Sequence, residues 1–477
     1  MPLVAGVDSS TQSCKVVIKD ADSGTLVRSG RATHPEGTEV NPALWVAALH
    51  EAIAAAGGLA DVAALSIGGQ QHGMVLLDID GRVIRDALLW NDTRSAPQAQ
   101  QLVDHFGAAF LAGETGSIPV ASFTSTKVLW VAQNEPDNAA RIAAICLPHD
   151  YLTWRLAGYG PADESQFGPV LSELTTDASD ASGTGYFSAK TGGYVPEVLE
   201  WILGRIPVLP RVVAPSEAAH AANAERVAFA GALGAGAGDN AAAGFGVGAE
   251  LGDVVVSLGT SGTVFAVTDV KTADQSGTVA GFASASSSFL PLVCTLNAAR
   301  ILDSFCRLLE VDHSGLAELA AMSEPGAGGV VLIPYFEGER TPNLPDAKAS
   351  IHGLTLHNST RANFARAAIE GMLCGLADGL ATMTTVGISC KRVILVGGAA
   401  ENPAVQKSAS EVFGVEVVVP APGEYVADGA ARQAAWVATG SKPKWKLNTV
   451  ACLIPNHVPL ILQQYHRAFE SIQSFNL

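Results

Sequence analysis

Short apolar runs closed by small polar residues set the rhythm of the chain. Leu3 to Val7 and Cys14 to Ile18 flank Asp8-Ser9-Ser10-Thr11-Gln12, which predicts a hairpin with a hydroxyl-rich tip. The pattern returns at Asp253 to Leu258 and Thr263 to Val267, separated by Gly259-Thr260-Ser261-Gly262. Two hairpins of one kind predict two similar halves. Ser, Thr, Gly and Asp are ordinary turn formers. Two such tips, one carrying an aspartate directly after its strand, nevertheless favour phosphate and metal binding.

Between the hairpins, Ala43 to Gly57 is patterned as an amphipathic helix, and Val62 to Ile67 as a strand ending at Gly68-Gly69-Gln70-Gln71-His72-Gly73. Met74 to Asp78 reads as another strand, followed by Ala87-Leu88-Leu89-Trp90-Asn91-Asp92. Polar side chains at strand ends are where α/β enzymes place ligand contacts. Gln71, His72, Trp90, Asn91 and Asp92 are therefore candidates for binding a polyhydroxyl substrate, although His72 taken singly reads more readily as a satisfied turn histidine. Asp163 to Gly193 is polar and glycine-rich and reads as loops, with Asp177 to Gly183 leading into a capping turn. Farther on, helices are expected over Asn297 to Leu309 and Asn363 to Val386, and a strand over Val330 to Tyr335. Arg392 to Val396 is a buried strand running through Gly397-Gly398-Ala399-Ala400-Glu401-Asn402-Pro403 into a helix from Ala404 to Phe413. Free backbone amides at such a helix start can meet a nucleotide.

The stretch Gly234-Ala235-Gly236-Ala237-Gly238-Asp239-Asn240 sets one carboxylate and one amide among residues too small to bury them. Glycine lets the backbone turn tightly and a ligand approach closely. Asp239 is a candidate general base, or else the cap of the alanine-rich helix that follows. Gly231 to Gly248 is expected to form a hinge-like passage between halves. The division that follows from it is 1–244 for substrate and the first phosphate turn, and 245–477 for the nucleotide.

Composition narrows the class. A chain of 477 residues with 48% hydrophobic residues and 49 glycines fits a two-domain α/β enzyme. Asp and Glu outnumber Lys and Arg by 46 to 29, giving a net charge of −17. That balance disfavours nucleic acid and anionic membranes as partners. Any phosphate must be held by backbone amides, a metal and a few local donors. The 7 cysteines are widely spaced with no Cys-x-x-Cys, as expected of reduced thiols in the cytoplasm. No signal peptide and no membrane-spanning run is expected.

Neither the G-x-x-x-x-G-K-[ST] nor the G-x-G-x-x-G phosphate motif occurs. The chain instead resembles the FGGY carbohydrate kinases, members of the actin, Hsp70 and hexokinase superfamily. One signature is carried by Ser122-Phe123-Thr124-Ser125-Thr126-Lys127-Val128-Leu129-Trp130-Val131-Ala132-Gln133-Asn134. The other runs from Ala349 through Gly353-Leu354 and Asn363-Phe364 to Ala367-Ala368-Ile369-Glu370. The resemblance extends from Leu3 to about Gly440. It implies two ribonuclease-H-like domains with a cleft between them, ATP and Mg²⁺ as cofactors, and a sugar acceptor, with D-xylulose expected. It further implies Asp239 as catalytic base with Asn240 beside it, and Gln71 and His72 on the sugar. Asp8 lies at the magnesium and phosphate end, reaching the metal through water, with Ser10, Thr11, Gln12 and Lys15 around it. Gly259, Thr260 and Ser261 embrace the ATP phosphates, while Gly398, Ala399 and Asn402 border the adenosine. The resemblance also allows a homodimer.

Two departures stand out: Ser10 occupies a position where a glycine is usual in the first turn, and Gln71 stands where methionine is more frequent. After Lys446 only a closing helix near Tyr465 to Phe475 is expected. The rival readings are a kinase of the same fold acting on ribulose, gluconate or glycerol, and a non-catalytic nucleotide-binding protein.

Overall fold

The computed structural model describes residues 2–221 and 229–475, which form two compact units. The first comprises Met1–Gly248, Lys271–Leu290 and Glu424–Leu447, and the second Ala249–Val270, Pro291–Gly423 and Asn448–Leu477.

In the first unit, strands β1 (Leu3–Ser9), β2 (Ser13–Asp20) and β3 (Leu26–Thr33) form an antiparallel meander. Helix α1 (Pro42–Ala55) leads to β4 (Val62–Gly69), which returns parallel to β1. Asn41 caps α1 by accepting from the Ala43 amide, with Pro42 in the first turn. Helices α2 (Thr124–Asn134), α3 (Pro148–Leu156) and α4 (Ala178–Ala181) follow, α4 being capped by Asp177. Strands β5 (Ala218–Ala221), β6 (Ala232–Gly234) and β7 (Ala237–Gly238) then lead into α5 (Asp239–Gly246). The sheet order is β5-β6-β4-β1-β2-β3, with β7 also pairing with β4. The stretch expected as a passage between halves is thus part of this unit, because Ala232 and Leu233 pair with Ala64 and Leu65.

Both faces of the sheet are buried. Ala5, Val7, Val16 and Ile18 pack with Trp45, Leu49, Ala52 and Ile53 of α1. On the other face, Val4, Val17 and Ala64 pack with Ala427, Ala431, Ala434 and Ala435 of the Tyr425–Thr439 helix. That helix lies close against the sheet and α5: a Cβ on Gly6 would fall 1.9 Å from the Ala427 carbonyl oxygen, and one on Gly246 would fall 2.0 Å from that of Tyr425.

The second unit repeats the plan. Strands β8 (Asp253–Leu258), β9 (Gly262–Ala266) and β10 (Phe289–Thr295) pair antiparallel. Helix α6 (Arg361–Thr385) precedes β11 (Arg392–Val396), which lies parallel to β8. Helix α7 (Pro403–Phe413) leads to β12 (Glu416–Pro420), parallel to β11. Of the glycines Gly371, Gly375 and Gly379 of α6, Gly371 serves close packing, since a Cβ there would meet the Leu332 carbonyl oxygen at 2.5 Å, whereas one on Gly375 would meet nothing nearer than the Tyr465 hydroxyl at 3.8 Å. The tail is more ordered than expected. It adds β13 (Thr449–Leu453), antiparallel to β12, and a helix α8 (Pro459–Phe475) that starts before Tyr465.

Candidate active site

The site in the first unit grows from two strand ends. β1 delivers Asp8, which is 4% exposed. Its pKa is pushed up to about 6 by burial, with Lys15 pulling down and Glu424 pushing up. Lys15 Nζ stands 3.6 Å from Asp8 Oδ2 and 2.5 Å from Glu424 Oε2. Asp8 Oδ1 is buried with no hydrogen-bond partner among the described residues. Burying a carboxylate without a partner is costly, and a hydrated Mg²⁺ would offset that cost. The donor set fits this ion, which keeps several waters and takes few carboxylates. Among the described residues no group of three or more His, Cys, Asp or Glu could hold a metal on its own. Phosphate oxygens and water would supply the remaining ligands.

Asp239 opens α5. The N-cap is Gly238, so Asp239 lies inside the first turn and the cap reading is set aside. Its Oδ1 accepts from the Asn240 amide at 2.7 Å and from Asn240 Nδ2 at 2.9 Å, leaving Oδ2 outside that grip. Burial, with the Asp8 charge adding, pushes its pKa up to about 6, while the Asn240 bonds oppose the rise. Such a value suits a base that works near neutrality.

The glycines around Asp239 each make room for a particular neighbour. A Cβ on Gly238 would lie 2.7 Å from the Gln71 side chain, so Gln71 abuts the base. Gly236, at φ +87°, sits over the His149 ring, where a Cβ would come within 2.4 Å of Nδ1. Gln433 of the Tyr425–Thr439 helix accepts the Gly236 N–H at 2.9 Å and donates to its carbonyl at 2.8 Å. Ser179 of α4 joins the two sides of the site. Its hydroxyl accepts the Gly238 N–H at 3.0 Å, and its carbonyl accepts from Gln71 Nε2 at 3.2 Å.

His72 occupies the left-handed region at φ +69°, unusual for a residue with a side chain. Its Nδ1 lies 2.6 Å from the Gly183 carbonyl oxygen, and its ring packs on Phe123 and Phe282 with centroids 4.7 and 5.8 Å away. Trp90 donates through Nε1 to Thr11 Oγ1 at 2.9 Å, and Thr11 donates to Gln70 Oε1 at 3.3 Å. One expected substrate residue and one expected phosphate residue are thus joined directly. Asn91 Oδ1 is buried without a partner among the described residues. Asp92 differs. Both its oxygens serve its own chain, accepting from Thr38 and from the Arg94 amide and guanidinium at 2.9 to 3.0 Å. Ser10 and Gln12 complete the first turn, the Ser10 hydroxyl donating to the Ser13 carbonyl at 3.1 Å.

The second unit carries the other residues of interest. Thr260 and Ser261 are exposed at the tip between β8 and β9, and a Cβ on Gly259 would meet only the Ser261 oxygen, at 3.4 Å. Gly398 opens a short 3-10 helix after β11, and a Cβ there would meet nothing within 4 Å. Ala399 follows it in the same turn. Asn402 caps α7 by accepting from the Ala404 and Val405 amides.

Three features escaped the sequence. His149 is fully buried, with Nε2 3.1 Å from Asp180, 3.3 Å from Asp150 and 3.6 Å from Asp177. Burial opposes its protonation, yet these carboxylates raise its pKa well above the usual range. Ser179 and Gln433 are the others. A serine or glutamine has no local signature, and each acts through a partner distant in sequence.

Two sheets of the same plan in one chain, each with a polar hairpin tip, match the two-domain carbohydrate-kinase fold within the actin-like superfamily. Residues 3–246 match the N-terminal domain of the FGGY family of carbohydrate kinases and residues 254–438 its C-terminal domain. The chain belongs to that family. It is 44% identical over 452 residues to a xylulose kinase of Streptomyces rubiginosus, covering 93% of this chain and 89% of the relative. A xylulose kinase of Streptomyces coelicolor is 43% identical over 449 residues, with 92% and 89% covered. The crystal structure of xylulose kinase from Bifidobacterium adolescentis superimposes with a TM-score of 0.92 at 46% identity, covering 98% of this chain and 99% of that one.

Proposed function

We propose that the protein phosphorylates D-xylulose at its terminal hydroxyl with ATP, giving D-xylulose 5-phosphate. The observation that carries this reading is the half-buried Asp239 gripped on one oxygen by Asn240 and abutted by Gln71. The likeness to xylulose kinases over nearly the whole chain supports the choice of sugar.

Phosphoryl transfer asks mainly for positioning and charge neutralisation. Asp239 Oδ2 takes the proton from the attacking hydroxyl, while Asn240 keeps the carboxylate from rotating away. Gln71 orients the sugar through its amide. The His72 ring, held to the Gly183 carbonyl through Nδ1, is placed to hydrogen-bond a sugar hydroxyl. Trp90 and Asn91 complete this side; the inward bonds of Asp92 give it the task of holding the Trp90–Asn91 segment. Ser10, Thr11, Gln12 and Lys15 face the phosphates from the first tip, and Gly259, Thr260 and Ser261 offer them backbone and hydroxyl donors. Gly398, Ala399 and Asn402 border the adenosine. Mg²⁺, held through water by Asp8, would neutralise charge on the phosphates.

The seven unpaired cysteines support a cytoplasmic setting. Among the described residues no helix is long and apolar enough to cross a membrane. The decisive experiment is ATP-dependent phosphorylation measured across D-xylulose, ribulose, gluconate and glycerol. D-Xylulose should have the highest kcat/KM; a higher value for another acceptor overturns the substrate while leaving the kinase reading in place.

A further inference from the structure

The signature segment at the start of α2 has a physical task beyond marking a family. Three of its residues converge on His72. The Phe123 ring packs on the imidazole, the Thr124 hydroxyl donates to the His72 carbonyl at 3.2 Å, and Lys127 Nζ donates to the same carbonyl at 3.4 Å. Lys127 is wholly buried and also donates to the Ser122 carbonyl. Burial lowers its pKa to about 7, against the pull of the Asp92 carboxylate. Burying a lysine is costly, and its alkyl stem could be replaced by an apolar residue at less expense. What an apolar residue could not do is hold the carbonyl of a residue in the left-handed region. His72 needs that hold, because a side chain at positive φ stays there only when its surroundings fix it.

We propose that Lys127, with Thr124, is a positioning residue for sugar binding, which fixes the backbone of His72 so that its imidazole meets the substrate in one orientation. The inference rests on the reading of His72 as a sugar contact. Lys127 itself touches no substrate: its effect must pass through His72.

The test is a double-mutant cycle on the full-length protein with Lys127→Met and His72→Ala. Each variant is assayed for KM toward the ketose and toward ATP, and for the D-xylulose to ribulose ratio of kcat/KM. Misplacing a contact by about an ångström can cost up to about 10²-fold. Lys127→Met should therefore raise the KM for D-xylulose by about tenfold, narrow the ketose ratio and leave the KM for ATP unchanged. In the His72→Ala background it should change the ketose KM no further. Independent multiplication of the two effects overturns the inference, as does an equal rise in both KM values. If His72→Ala alone changes neither KM nor ratio, the sugar-contact reading falls and the inference with it, a result distinct from multiplying effects. Should Lys127→Met fail to fold, Thr124→Val removes the other donor with little change of shape, and the same cycle decides.

Discussion

Gly429 stands against Ala242 so closely that a Cβ on Gly429 would lie 1.8 Å from the Ala242 carbonyl oxygen. Ala242 is in α5, one turn beyond Asp239, so this backbone contact sets the depth of the helix that carries the proposed base. Neither backbone can yield without moving the other. Gly429→Ala should push α5 outward, cutting kcat at least tenfold, on the scale of an ångström-sized misplacement. It should also lower Tm, as overpacking costs about 1–3 kcal/mol. Steady-state kinetics and a thermal melt check both; wild-type behaviour would mean that α5 is positioned otherwise.

Asp239→Asn should lower kcat by roughly 10²–10⁴-fold, the range for loss of a general base. It should at the same time stabilise the fold. Asp239 has a folded-state pKa of about 6 against an ordinary value of 3.8, so the native state prefers the protonated form. The cost of charging it is absent below the unfolded value, grows between the two, and is complete above the folded one. At pH 7.5 the variant should melt higher by a few degrees, a gain trimmed by solvent screening at this half-buried site and shrinking toward the unfolded pKa. A lower Tm at pH 7.5 would contradict the sign.

The acid limb of the pH profile offers a separate check. With ketose below saturation, kcat/KM should fall as pH drops through about 6, when Asp239 takes up a proton. Asn240 favours the charged carboxylate, so Asn240→Ala should move this limb to higher pH. A limb that stays fixed or moves down would take the proton-accepting role away from Asp239.

Gly259→Val separates the two ligands. A Cβ at this position makes only ordinary contact within the chain, so the fold should tolerate the change. The added branches would intrude where phosphate is proposed to approach the tip between β8 and β9. Titrations should reveal weaker ATP binding with sugar binding kept. Equal losses for both would point to misfolding.

The sequence made some of this legible for definite reasons. The two hairpins could be read because β-branched runs bracket hydroxyl-rich tips, and Asp239 with Asn240 stood out as a candidate pair because only glycine and alanine flank it. Gln71 and His72 followed from a strand ending in glycines. Other parts had no such mark. That Gly236 makes room for His149 while Gly238 makes room for Gln71 depends on neighbours from separate segments. Gln433 lies 197 residues from the backbone it clamps. Asp92, grouped with Trp90 and Asn91 by proximity in sequence, turns inward to Arg94 and Thr38.

The order in which the chain is synthesised gives the Tyr425–Thr439 helix a further significance. The sheet it covers begins at Leu3, and Gln433, which clamps the backbone beside Asp239, lies on it. While the ribosome is still making residues before 425, the apolar face formed by Val4, Val17 and Ala64 lacks its cover. The first unit therefore cannot reach its native packing until the chain has been made through residue 439. A nascent or truncated form ending before this helix would expose a hydrophobic sheet surface and require a chaperone to stay soluble, and the backbone beside the proposed base would lack its clamp until Gln433 had been made.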